Sequence, residues 1–153
     1  MKKLEEIVQL DEIFDSHYRF EQHPEYKPRE GRTDMHFYTK NRNHISVNIN
    51  NFTGSESHVA HIMFDNNGAY NHEEGSEEGK HAHKIFGTIK KIVQHHLDNN
   101  PHVTHLEFSG SHEHPAKIKL YHHLAKTIDP NYKTNDRGNA NDYYLNIKKG
   151  ATT

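Results

Sequence analysis

Histidine is the residue type to start from, because 17 of the 153 positions carry it and several stand where imidazoles could act in pairs. Two triplets, His44-Ile45-Ser46 and His102-Val103-Thr104, have the H-x-S/T form. On paired strands that form serves two-histidine phosphoester chemistry, with the imidazoles as acid and base and the hydroxyls holding phosphate. A chain this rich in histidine and hydroxyl residues is also expected to contain two such triplets by chance. His81-x-His83 and His112-x-His114 are spaced for a shared metal only in extended or loop backbone, since helical residues two apart diverge by about 200°. His112, Glu113 and His114 fall in a loop and are the better donors. There is no H-E-x-x-H. The absence of cysteine excludes disulfides and thiolate metal sites. A solvated surface is the better reading of these pairs, and no metal ligand set is assigned. Net charge should change strongly between about pH 5 and 7, where unperturbed imidazoles titrate.

The elements that must position such residues centre on the stretch from Lys80 to Lys126. Ile85, Ile89, Ile92, Val93 and Leu97 recur at helical spacing and predict a helix over 80–98. Asn99, Asn100 and Pro101 stop it, because proline cannot continue a helix and disfavours the helical region for its predecessor. Val103, Leu106 and Phe108 predict a strand over 102–109, ended by Ser109-Gly110-Ser111. A second helix over 115–128 turns Ile118, Leu120, Tyr121, Leu124 and Ile128 inward. Helix, strand and helix form a crossover unit, so a sheet must lie beneath them.

The flanks supply that sheet. Leu4 to Phe14 alternates apolar residues with carboxylates and predicts an amphipathic helix within 1–16. His17 to Glu21, Met35 to Thr39, Ile45 to Phe52 and Val59 to Phe64 predict a strand meander over 17–65, with Lys40 to Asn43 as a hairpin turn. Asp65 to Gly79 reads as a polar loop with five acidic residues, and Asn131 to Ala140 as another. A last strand is predicted over 142–148. The order gives an α+β fold in a single domain over 1–153, with an antiparallel sheet that becomes parallel at the crossover.

Composition narrows the function classes. The hydrophobic fraction is 31% and mean hydropathy is -1.09, yet seven phenylalanines and eight tyrosines sit mostly in periodic segments, which argues for a packed core. A formal net charge of -2 gives no global basic field of the kind that drives non-specific nucleic-acid binding. No apolar run approaches membrane-spanning length, and the first residues lack a signal-peptide pattern. A soluble, cytoplasmic protein is expected.

The element order and the residues of the central unit resemble the GNAT acetyltransferase fold, a mixed, mostly antiparallel sheet flanked by helices. More closely they resemble small GNAT-like proteins encoded by bacteriophages. The matching segments are Lys84 to Val93 (KIFGTIKKIV), His105 to Ser109 (HLEFS) and Lys117 to Ala125 (KIKLYHHLA). The resemblance implies a loop of the form Q/R-x-x-G-x-G/A whose amides hold the pyrophosphate of acetyl-CoA at a helix N-terminus. Ser76 to Ala82 occupies that place, with Gly79 at the middle glycine. Gly79, Lys80, His81, Ala82 and His83 would cradle phosphate, facing Ser109, Gly110 and Tyr121 across the cleft where the fourth and fifth strands splay. Tyr121 would protonate the leaving thiolate as general acid, and Glu107 is a candidate general base.

Two function classes follow. One is an N-acyltransferase that carries an acyl group from acetyl-CoA to a small-molecule or protein amine. The other is a non-catalytic GNAT-like phage protein, a virion or internal component or an inhibitor of a host factor, located in the host cytoplasm or virion. Ser76 at the first loop position, His81 at the last, and the carboxylates of Glu73, Glu74, Glu77 and Glu78 favour the second, because negative charge beside a pyrophosphate is unfavourable. Tyr121 favours the first. The phosphoesterase and metal-binding readings stand behind both.

Overall fold

The computed structural model describes residues 17–40, 42–66, 82–113 and 115–147, with the backbone alone at 65–66, 82–83, 115–117 and 120. The N-terminal helix expected within 1–16 and the loop residues 79–81 lie outside the described residues. Among the described residues seven strands and two α-helices follow one another: β1 (Phe20–Gln22), β2 (Arg32–Tyr38), β3 (His44–Asn51), β4 (Val59–Asn66), α1 (Ala82–Asn99), β5 (His105–Ser111), α2 (Pro115–Ile128), β6 (Lys133–Asp136) and β7 (Ala140–Asn146). They build one sheet in the order β1-β2-β3-β4-β5-β7-β6. Every neighbouring pair is antiparallel except β4 with β5, which is parallel. This is a mixed, mostly antiparallel α+β arrangement, as the element order predicts, with α1 as the crossover between the parallel strands.

Both helices lie on one face of the sheet. The imidazole of His96 in α1 bonds Thr33 of β2 and Asn51 of β3, Tyr121 of α2 packs on Gly110 of β5, and the register puts these strand residues on a common face. The buried apolar side chains of that face are Phe37, Ile45, Val47, Ile49, Ala60, Ile62, Leu106, Phe108, Tyr143 and Leu145. They meet Ile85, Phe86, Ile89, Ile92 and Val93 of α1 and Leu124 and Ala125 of α2. The strict alternation of β3 is thereby explained, because alternate residues of a strand point to opposite faces. The opposite face is polar, with Asp34, His36, Ser46, Asn48, Asn50, His61, Glu107 and Ser109 on it. Among the described residues no helix packs there. No helix among them is long and apolar enough to cross a membrane.

Several boundaries move for local reasons. The strand expected over 102–109 begins at His105, because the amide of Val103 bonds back to the Asn100 carbonyl at 3.0 Å and closes a turn around Pro101. The strand expected over 142–148 runs from Ala140 to Asn146. The loop expected over 131–140 contains β6, whose four side chains are all exposed. An edge strand with no buried face leaves no hydrophobic alternation to read. Its turn is set by Gly138 at φ 95° and by the Gly138 amide donating to Asp136 Oδ1 at 2.8 Å.

The C-terminus of α1 is tied down by side chains. Asn100 Nδ2 donates to the His96 carbonyl at 2.8 Å and Asn51 Nδ2 donates to Asn100 Oδ1 at 2.9 Å. Asn51 Oδ1 accepts from His96 Nε2 at 2.7 Å. With its Nε2 donating, the neutral ring of His96 accepts from the Thr33 hydroxyl at Nδ1, 2.7 Å away. The network satisfies a helix-end carbonyl and a fully buried imidazole together.

Candidate active site at the parted strands

The parallel pair is short. β4 and β5 pair only at Val59 with His105, Ala60 with Leu106 and His61 with Glu107. Both strands then continue, β4 along β3 to Asn66 and β5 along β7 to Ser111. Beyond the third rung the facing edges of β4 and β5 therefore carry backbone N–H and C=O groups with no ladder partner across the seam among the described residues. Such edges fit an extended chain that carries amides of its own.

Tyr121 stands against this seam on the helix face. Its ring stacks on Phe64 of β4 at 5.8 Å between centroids, meets Phe108 of β5 at 5.7 Å, and lies 6.2 Å from Tyr143 of β7. Gly110 makes this approach possible, because a Cβ there would lie 2.2 Å from Tyr121 Cδ2. Burial, and to a smaller extent the neighbouring Tyr143, pushes the Tyr121 hydroxyl up to about 12. At neutral pH it is protonated and can only be a proton donor in an acid–base step.

Glu107 occupies the last rung on the opposite face. Its Oε1 lies 3.3 Å from Nδ1 of His61, the residue beside it on β4. A carboxylate accepting from Nδ1–H leaves Nε2 as the nitrogen that can take a proton, the logic by which a carboxylate orients a catalytic imidazole. Sequence reasoning named Glu107 and missed His61. The two are 46 positions apart, and only the parallel register joins them. The seam is thus flanked by a protonated phenol on one face and an imidazole–carboxylate pair on the other.

The remaining expected site residues divide. Gly110 lies beneath Tyr121. Ser109 points to the opposite face, where its hydroxyl donates to Asp142 Oδ1 at 2.7 Å, and Arg137 holds the other oxygen of Asp142 at 2.9 Å. Ala82 and His83 open α1. Gly79, Lys80 and His81 lie outside the described residues.

The H-x-S/T triplets are not brought together. His44 is the first residue of β3, whereas His102 lines a cleft of about 480 Å³ with Asn50 and Asn51 at the far end of that strand. An eight-residue strand spans roughly 23 Å, so the two imidazoles cannot share one phosphate. The phosphoesterase expectation is corrected on that ground. His112 is held by Asn141 at 3.0 Å and Asp136 at 3.6 Å; His81 and His114 lie outside the described residues.

No family model matches the chain, and no curated protein does either. Among solved structures, it is similar to a GNAT-family acetyltransferase from Streptococcus pneumoniae, with a TM-score of 0.49 and 5% identity over 78% of this chain and 69% of that one. It is also similar to a spermidine N-acetyltransferase variant from Vibrio cholerae, with a TM-score of 0.47 and 10% identity over 95% and 74% of the two chains. A third is AAC(6')-Ib in complex with ribostamycin and coenzyme A, with a TM-score of 0.44 and 11% identity over 77% and 65%. At these values nothing about chemistry transfers, and the site stands on this chain's own strand order, seam and side chains.

Proposed function

We propose that the protein is an N-acyltransferase that moves an acyl group from an acyl-CoA thioester to an amine in the seam between β4 and β5. The observation that carries this reading is the parting of the one parallel pair after His61 and Glu107, with the Tyr121 phenol beneath the opening. The unpaired strand edges support binding of an amide-bearing arm. Gly79 to His83 would hold its phosphates.

When bound, the acyl-CoA supplies a thioester whose C–S bond is exchanged for a C–N bond to the acceptor. His61 Nε2 takes the proton that the attacking amine must lose, and Glu107 holds the imidazolium through Nδ1–H. Tyr121 gives its hydroxyl proton to the departing sulfur. Proton transfers of this kind contribute roughly 10²–10⁴-fold in rate each.

The test is thiol release from acetyl-CoA in the presence of a panel of primary amines. The protein has no cysteine, so a thiol reagent reports product without background. Tyr121→Phe is expected to lower kcat about a hundredfold or more with little change in KM. His61→Gln is expected to lower kcat by a comparable factor while leaving acetyl-CoA binding unchanged. Full activity in both variants would overturn the assignment of acid and base. Absence of thiol release with every amine, together with absence of acetyl-CoA binding, would leave the non-catalytic reading, a GNAT-shaped viral protein that acts by binding a host or virion partner.

A further inference from the structure

We propose that His23, His36 and His44 form a binding site for one divalent late first-row metal ion, with zinc the best match to the donors. The site is separate from the seam and independent of the acyltransferase reading. His23 follows β1, His36 lies in β2 and His44 opens β3, and the antiparallel register of these three strands gathers them at one place on the polar face. One ligand-capable atom from each lies within 4.8 Å of the others. The rings are 4.9, 5.0 and 5.7 Å apart between centroids. His36 Nδ1 and His44 Nε2 are 2.8 Å apart in a ring-to-ring hydrogen bond, which would open by about half an ångström to the roughly 3.3 Å that separates two nitrogens bound tetrahedrally to one ion at about 2.0–2.1 Å each.

Three further features fit a metal better than a chance cluster. His23 and His36 are buried, and three buried or half-buried imidazoles facing one another are disfavoured once charged. Burial, followed by the neighbouring His23 and His44, holds His36 below the usual imidazole range. The other nitrogen of His36, Nε2, lies 3.7 Å from Glu21 Oε1. A carboxylate on the outer nitrogen of a ligating histidine is the usual orienting partner in zinc sites. Tyr38 stacks on His44 at 4.8 Å and Tyr26 meets His23 edge-on at 5.1 Å, so two of the rings have limited freedom to turn away.

Imidazole donors select zinc, cobalt, nickel or copper over magnesium or calcium, which need oxygen ligands. Three protein ligands leave a fourth position for water or an anion, the arrangement of open rather than closed zinc sites. His23 is the weakest of the three ligands. Its Nδ1 accepts the Glu25 amide at 3.2 Å, and ligation through either nitrogen requires that bond to be given up.

The test uses the full chain after chelator treatment, titrated with Co²⁺ and followed by its visible absorption, then displaced by Zn²⁺. One equivalent of Co²⁺ should give intense bands of four-coordinate geometry. Glu21→Gln should weaken binding about 10–100-fold, and His36→Gln or His44→Gln should weaken it further. A His95→Gln control, which removes an exposed α1 imidazole, should bind as wild type. Zn²⁺ should raise the melting temperature of wild type and of His95→Gln but not of His44→Gln. If His36→Gln folds poorly, His44→Gln and Glu21→Gln keep the test decisive. Absorption without four-coordinate bands, or equal weakening by His95→Gln and His44→Gln, would show scattered surface binding and overturn the proposal.

Discussion

At the scale of single residues the protein relies on close contacts that admit few alternatives. Gly110 is one. A methyl at this position collides with the Tyr121 ring, so Gly110→Ala should cost about 1–3 kcal/mol by overpacking and shift the phenol away from the seam. Chemical denaturation reads the first effect, and loss of thiol release out of proportion to stability reads the second. His96 is another. Desolvation, with smaller contributions from His95 and His102, holds its imidazole down to about 4. A folded-state value below the unfolded one means that the unfolded chain binds more protons between the two, so stability rises with pH across that interval. The fold should therefore lose up to about 3 kcal/mol from this group as pH falls from about 6.5 to 4. Urea unfolding at pH 7 and pH 5 should show a steeper loss for wild type than for His96→Gln. Equal slopes would contradict the neutral, doubly hydrogen-bonded ring.

At the scale of elements, the end of α1 is fixed to β3 by Asn100 as much as by apolar packing. Asn100→Ala would leave the His96 carbonyl and the Asn51 amide without their partners, at about 1–3 kcal/mol. Amide hydrogen exchange should then speed up over the last turn of α1 while β7 stays protected; unchanged exchange there would remove Asn100 from its capping role. The same element shows what a sequence makes visible. Ile85, Ile89, Ile92 and Val93 announce α1 because one face is buried and the other is not, and β3 announces itself through Ile45, Val47 and Ile49. β6 gives no such signal, since Lys133 to Asp136 bury nothing and pair through backbone alone. Tyr121, Glu107 and Gly110 were named through the resemblance of the central unit. His61 beside Glu107, and His23 with His36 and His44, were not, because register rather than spacing creates those groupings. The histidine pairs that spacing did suggest, His81 with His83 and His112 with His114, are not the ones the described strands gather.

At the scale of the whole molecule, the sheet separates its tasks by face and by place. The helix face holds the core and presents Tyr121 from below the seam. The polar face carries a transverse row running Arg32, Asn50, His61, Glu107, Tyr144 and Lys133 across six strands. The histidine cluster lies on this same face but toward the other end of β3: His44 opens that strand, and Asn50, the partner of His61, lies six residues along it, roughly 20 Å away, so occupancy by metal and acyl transfer can be separated by chelation. The parted parallel pair is the one feature on which the functional account depends. Isothermal titration of the chelator-treated protein with acetyl-CoA at pH 7.5 tests it most directly. The account predicts saturable micromolar binding at one site per chain, abolished by Gly79→Glu and retained by Tyr121→Phe. No heat at high micromolar acetyl-CoA would contradict it, and the seam would then be a feature of the scaffold alone.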